Sequence, residues 1–238
     1  MDRTIGAGAP GTIDRIAGAD LTDPLDCNVY AVYGRDRALL VDTGTGRVPF
    51  EIPAEVTMAI VTHLHADHSA GAAALARAGL EMLAHPWTAD GLMSGDEERA
   101  GLDRARAWGM YPSDQRLEPC PGVTAIDDGA RIDLGGCLVH VVSTPGHSAG
   151  HLSLQVEGED GRRSLVAGDL VFPGGTISLQ VMPDCHIETL WQSIERVREF
   201  EPDALYAGHL SPVEKDATSH IDAALAEFRS GRVPRSHD

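Results

Sequence analysis

Basic residues are scarce in this 238-residue chain: 19 Lys and Arg face 36 Asp and Glu, for a formal net charge of −17 at pH 7. Such a surface repels phosphate backbones and anionic lipids alike, so neither nucleic acid nor a membrane is an expected partner. Long apolar runs are missing too. No segment approaches the roughly 18 residues of a membrane span, and Met1-Asp2-Arg3-Thr4 leads into a Gly/Ala/Pro stretch without the apolar core of a secretory leader. The expectation is a soluble, cytoplasmic protein. Cysteine is limited to Cys27, Cys120, Cys137 and Cys185, with no C-x-x-C pair. This argues against a disulfide framework or a thiolate zinc site and for reduced, buried thiols. Aromatic residues make up only 5%, yet 42% hydrophobic and 23% charged residues are enough to bury a core. There is no internal repeat, and only Arg232–Asp238 reads as a biased tail. Residues 1–238 are expected to form one domain.

What is present alternates between strand and helix signals. Strand-like runs occupy 12–16, 28–33 and 38–41, with Gly34-Arg35-Asp36-Arg37 as a hairpin turn between the last two. A run at 58–62, a helical pattern from Ser69 to Ala78 and a strand at 81–84 make a β-α-β unit. Residues 87–120 are irregular and read as helical pieces lying over one end of a sheet, a lid or insert above the site. Strands resume at 123–126, 138–142, 151–156, 164–167 and 204–207, with amphipathic helices at 187–200 and 217–228. Two sheets packed together with helices outside is the architecture this order suggests.

The chemistry concentrates in Thr62-His63-Leu64-His65-Ala66-Asp67-His68-Ser69, between a strand and a helix start. Alternate side chains of an extended chain share a face, so His63, His65 and Asp67 converge, and His68 breaks the alternation where the helix begins. Such a cluster can serve two adjacent metal ions. Neutral imidazoles with a carboxylate suit zinc, and iron or manganese as well. Three later residues fit the same constellation, each beside a glycine at a strand end: His147 in Thr144-Pro145-Gly146-His147, Asp169 in Gly168-Asp169 and His209 in Gly208-His209.

These segments, with Leu40-Val41-Asp42-Thr43-Gly44 and in this order, resemble the metallo-β-lactamase-fold superfamily of hydrolases. The resemblance implies an α/β fold, a four-layer αββα sandwich with the metal site at one edge. It implies that His63, His65 and His147 bind one metal, that Asp67, His68 and His209 bind another, and that Asp169 bridges them. The expected cofactors are two Zn2+, with Fe or Mn as alternatives. A metal-bridging hydroxide is then the nucleophile, since zinc lowers the pKa of bound water to about 7, and Asp67 passes a proton to the leaving group. Asp42 and His151 are expected behind the ligands, where a carboxylate can fix the tautomer of a ligand histidine. His85, His140, His186, His220 and His237 have no motif around them and read as ordinary core or surface residues.

Departures from other branches narrow the substrate. Asp169 stands where metallo-β-lactamases generally carry Cys or Ser, and His65 where flavodiiron reductases carry glutamate. Only 29 residues follow His209, short of the region with which glyoxalase-II-type thioesterases grip glutathione. A small-molecule ester, lactone or thioester hydrolase, resembling the lactonase and thioesterase branches, is the leading expectation. A mononuclear-iron persulfide dioxygenase and a phosphodiesterase are the alternatives. Trp108, Met110, Tyr111, Phe172 and Met182 are candidates for a substrate pocket, Tyr30 or Tyr206 for a hydrogen bond to a substrate carbonyl, and family members are often homodimers.

Overall fold

In the computed structural model, residues 8–237 are described. The opening stretch from Met1, where the sequence shows no leader-like run, and Asp238 at the end of the tail lie outside them. Strands β2 (Val29–Tyr33) and β3 (Ala38–Val41) are buried at every position, and the pleat divides their side chains between two cores. Tyr30, Val32, Leu39 and Val41 meet a facing sheet. Val29, Ala31, Tyr33, Ala38 and Leu40 pack against helices.

The first sheet runs β1-β2-β3-β4-β5-β6, adding β1 (Ile13–Ala17), β4 (Val56–Val61), β5 (Glu81–Ala84) and β6 (Thr124–Ala125). The second runs β11-β10-β9-β8-β7, built from β7 (Arg131–Asp133), β8 (Cys137–Ser143), β9 (Leu152–Gly158), β10 (Arg163–Gly168) and β11 (Ala204–Ala207). Between the sheets, Ile60 and Leu83 face Val139, Leu152, Leu154 and Val166. Helices α2 (Ala72–Arg77), α3 (Pro86–Ser94) and α4 (Leu102–Ala107) cover the outside of the first sheet. The second sheet is covered by α5 (Ile187–Arg198) and α6 (Ala217–Arg229), which bury Leu190, Ile194, Ile221 and Leu225 against Leu165 and Leu205. The four layers are therefore helix, sheet, sheet, helix.

Three local expectations need correction. The helix expected at 69–78 is two, α1 (Ala66–Ser69) and α2. They break at Gly71, which lies so close to the Thr43 carbonyl that a Cβ would overlap it. Because α1 begins at Ala66, Asp67 already sits on a helical turn instead of on the extended face shared by His63 and His65. The tail at Arg232–Asp238 is not loose as far as it is described: Ser236 forms a parallel bridge with Ile177. Within 87–120, α3 is part of the core through Ala89 and Leu92, and it is the stretch around α4 that borders the site.

β3 runs parallel to β4, and β10 parallel to β11. β8 and β10 both run antiparallel to β9, so the ends of β8, β10 and β11 share an edge. The loops that leave β3, β4, β8, β10 and β11 carry Asp42, the His63–His68 run, His147, Asp169 and His209 to one place.

Candidate metal centre

His63 and His65 flank Leu64, whose side chain enters the opposite core, 1% exposed, against Gly91. Leu64 anchors the motif; cutting such a side chain to alanine costs about 2–5 kcal/mol. With the loop so fixed, three ring nitrogens meet. His63 Nε2 lies 3.0 Å from His65 Nδ1, and His147 Nε2 lies 3.2 Å and 2.9 Å from those same atoms. Three nitrogens about 2.0–2.1 Å from one tetrahedral cation are separated by roughly 3.3 Å.

The tautomers are set from behind. His147 Nδ1 donates to the Ser178 carbonyl at 3.2 Å. The Thr62 hydroxyl donates to Asp42 Oδ2 and so accepts from His63 Nδ1 at 3.0 Å. Each contact turns an unprotonated Nε2 toward the cluster.

A second triad lies alongside. His68 Nε2 and His209 Nε2 are 3.4 Å and 3.1 Å from Asp67 Oδ2. Asp169 reaches both groups, with Oδ1 3.3 Å from His68 and Oδ2 3.5 Å from His209 and 3.6 Å from His147. Asp42, in a left-handed conformation (φ 66°), accepts from His68 Nδ1 at 2.8 Å and from Thr62 N at 2.7 Å. His151 does different work: its Nε2 accepts from the Asp169 backbone N–H at 3.0 Å, and its Nδ1 faces the Thr144 hydroxyl at 2.8 Å. It holds the chain that presents Asp169.

This donor set fits metal ions. His68 Nε2 and Asp169 Oδ1, which both face the cluster, are buried with no hydrogen-bond partner among the described residues, an expensive arrangement for polar atoms unless a cation takes the lone pairs. Burial holds His63 and His65 below the usual imidazole range and His147 at about 4, so all three are neutral, as ligands must be. Burial also works against charge on His209 and His68. For His209 the facing Asp169 and Asp67 outweigh it and raise the group to about 10; for His68 Cys27, Asp169, Asp67 and Asp42 do the same. Burial alone would raise Asp67 and Asp169, but His68 and His209 hold both well below the carboxylate range.

Protein stripped of metal is therefore expected to be most stable near pH 6.5. His147, depressed in the fold, contributes stability that is complete above 6.5 and is lost as pH falls toward about 4; His209, raised in the fold, contributes stability that is complete below 6.5 and is lost as pH climbs toward about 10. Urea midpoints of chelated protein across this range check it. The acid limb should flatten in His147→Asn and the alkaline limb in His209→Asn.

Two glycines are required by this crowding. A Cβ on Gly208 would overlap Asp169 Oδ1 and lie 2.7 Å from His68 Cε1, and one on Gly168 (φ 53°) would lie 2.6 Å from His151 Nε2. Gly208→Ala is expected to keep the fold by circular dichroism, lose metal and lose roughly 100-fold in rate, the effect of about 1 Å of misplacement. Unchanged metal content would show that the loop yields.

Beside the donors lies a cavity of about 350 Å3, walled by Trp108, Met110, Tyr111, Leu179, Val181 and Met182. Tyr111 donates to Asp67 Oδ1 at 2.9 Å. Trp108, Met110 and Val181 are 59%, 53% and 81% exposed, an uncommon grouping of large apolar side chains on a soluble surface.

Phe172 does not line the cavity: it is fully buried and packs edge-on to His237, ring centroids 4.1 Å apart. Tyr30 and Tyr206 are also misplaced as substrate donors. Their hydroxyls donate to the Ala207 carbonyl and to Glu214, because both rings belong to the core between the sheets. Two residues near the site are not singled out by the sequence, Asn28, which carries no expectation, and His237, which reads there as an ordinary core or surface residue. Asn28 holds the His209 loop through its amide, which donates to the Ala207 and Leu210 carbonyls; no motif marks it. His237 lines the cavity, far in sequence from any motif.

Comparison with known proteins shows the family. The chain is 26% identical over 224 residues to the bovine acyl-coenzyme A thioesterase MBLAC2, covering 84% of this chain and 75% of that one. It is 29% identical over 157 residues to a hydroxyacylglutathione hydrolase of Rhizobium meliloti, covering 65% and 48%. The chain thus spans about half to three quarters of the length of curated relatives it matches. Among solved structures, an archaeal metallo-β-lactamase superfamily protein from Sulfolobus tokodaii superimposes with a TM-score of 0.72 at 19% identity, covering 91% of this chain and 86% of that one. The family described as the metallo-β-lactamase superfamily matches residues 22–209, from the approach to β2 through the last of the clustered histidines, and the chain belongs to it.

Proposed function

We propose that this protein is a metal-dependent hydrolase that cleaves a small thioester, with esters and lactones as the neighbouring substrates. The observation that carries this reading is the meeting of two donor triads, joined by Asp169, at the floor of a cavity with largely apolar walls. Relatives named as a thioesterase and as a hydroxyacylglutathione hydrolase support the choice of an acyl group.

His63, His65 and His147 would hold one ion, Asp67, His68 and His209 a second, and Asp169 would touch both; zinc suits these nitrogen and oxygen donors, as do iron and manganese. Bound there, such ions supply Lewis-acid polarisation of a carbonyl and a water ionised near neutral pH. The chain does the rest. Asp42 and Thr62 fix the ring orientations of His68 and His63, and Trp108, Met110 and Met182 keep water from the acyl chain. Asp67, ionised at rest, would take at Oδ1, the oxygen that accepts from the Tyr111 hydroxyl, the proton released by the attacking water and pass it to the departing sulfur, which leaves as the thiol. A thiol with an ordinary pKa of about 8.5 asks little of that acid, which favours sulfur over an alkoxide as the leaving atom.

Metal analysis of the purified protein, coupled to a panel of thioesters, lactones, phosphodiesters and a glutathione persulfide, tests the reading. Close to two metal equivalents with turnover of a thioester is the expected result. One iron with oxygen uptake on the persulfide would replace it with a dioxygenase, and turnover of phosphodiesters alone with a phosphodiesterase.

A further inference from the structure

Met182 stands between two hollows. On one side is the cavity of about 350 Å3 beside the donors, and on the other a cleft of about 270 Å3; Met182 lines both. Among the described residues the lining of the second cleft includes none of the donor groups, so Met182 bounds the cavity on a side other than its metal-binding floor. The two hollows differ in chemistry. On the cavity side Met182 continues the apolar wall of Trp108, Met110 and Val181. Beyond it the cleft carries Asp96, Glu98, Arg99, Arg104 and Asp184, charges that lose their water if a hydrocarbon is laid over them.

The backbone around Met182 is held. Arg104 Nη1 donates to the Val181 carbonyl at 3.3 Å, Cys185 N donates to the Met182 carbonyl at 3.2 Å, and Asp184 Oδ2 accepts from Ala149 N at 3.0 Å. The side chain rests on the start of α4, where residue 101 is a glycine (φ 68°); a Cβ there would overlap the Met182 Cε. An unbranched thioether thus fills a gap left for it by a missing side chain, and it closes the apolar space where the charged cleft begins.

We propose that Met182 is the stop that sets how long an acyl chain this enzyme accepts: the chain runs from the donors along Trp108 and Met110 and ends on the Met182 thioether. This rests on the thioesterase reading and names its substrate class, acyl groups of limited length. Each methylene buried short of the stop adds about fourfold to binding. A methylene that meets the stop adds nothing, because it must push Met182 from its rotamer or enter the charged cleft.

The test is a series of acyl-N-acetylcysteamine thioesters from acetyl to tetradecanoyl. In the wild type kcat/KM is expected to rise with chain length and then break, mostly through KM. Met182→Ala removes Cγ, Sδ and Cε and should move the break to chains roughly two carbons longer, a gain of about tenfold for those chains relative to shorter ones. Met182→Phe adds bulk and should move it to shorter chains. Opposite shifts distinguish a stop from a general loosening of the wall. A wild-type series without a break, a break at one length in all three proteins, or a shift in the same direction in both variants would overturn the assignment.

Binding of saturated fatty acids from hexanoate to tetradecanoate, followed by tryptophan fluorescence through Trp108 on the cavity wall, needs no turnover. Breaks that move as in the kinetic series support the stop; no binding to the wild type, or one break common to all three proteins, overturns it. Failure of the wild type to cleave any thioester of the series would defeat the thioesterase reading, and the fatty-acid titrations would still decide Met182.

Discussion

Asp169→Ala is expected to eliminate turnover and to remove at least one metal equivalent. Among the described residues Asp169 alone offers oxygens to His68, His209 and His147 together, so its loss opens both triads. It also takes away a counter-charge that keeps His68 and His209 protonated when no metal is bound. Losing a group that only supports a ligand costs about 10–100-fold in affinity or activity; a shared ligand should cost more than 100-fold. His65→Ala, which removes one of three converging nitrogens, belongs to the same class. Steady-state rates and metal analysis on the same samples check both. Full activity with full metal content in either variant would remove that residue from the centre.

Chelation is the second large effect. An ion that binds only the folded chain stabilises it by mass action, about 4.1 kcal/mol at 1,000 times its Kd. Stripping therefore costs several kcal/mol. In a chain of this size each kcal/mol moves Tm by about 2–4 °C, so a drop of about 10 °C or more is expected by calorimetry. What remains after stripping is a set of buried imidazoles and carboxylates, several without partners, which adds to the loss. An unchanged Tm in protein shown to be metal-free would mean that the site and the fold are uncoupled.

The layered fold was legible because strands buried on both faces read as short apolar runs, and β5 and β11 begin and end where the pattern says. The gathering of these side chains was legible in the close spacing of His63, His65, Asp67 and His68. Later donors stand out only by the glycines beside them, which the packing at Gly168 and Gly208 requires. What composition could not convey was direction. Phe172 lies four residues beyond β10 and Tyr206 one residue from the end of β11, near the edge where the site gathers, but their rings turn inward to cores whose shape depends on the whole chain. The break at Gly71 depends on a carbonyl 28 positions earlier in the chain, at Thr43. His237 acquires its place through a single bridge to Ile177, a pairing with no periodic signal at either end.

Each triad takes two donors from the loop after β4 and one from the far sheet: His63 and His65 with His147, Asp67 and His68 with His209. Neither half of the sandwich owns a complete coordination set. On the proposed reading, cation capture would be a late event in refolding, delayed until the halves have docked, and an ion seated there would act as a clasp between them. Prying the sandwich apart along its central seam would then break every such coordination set in one step.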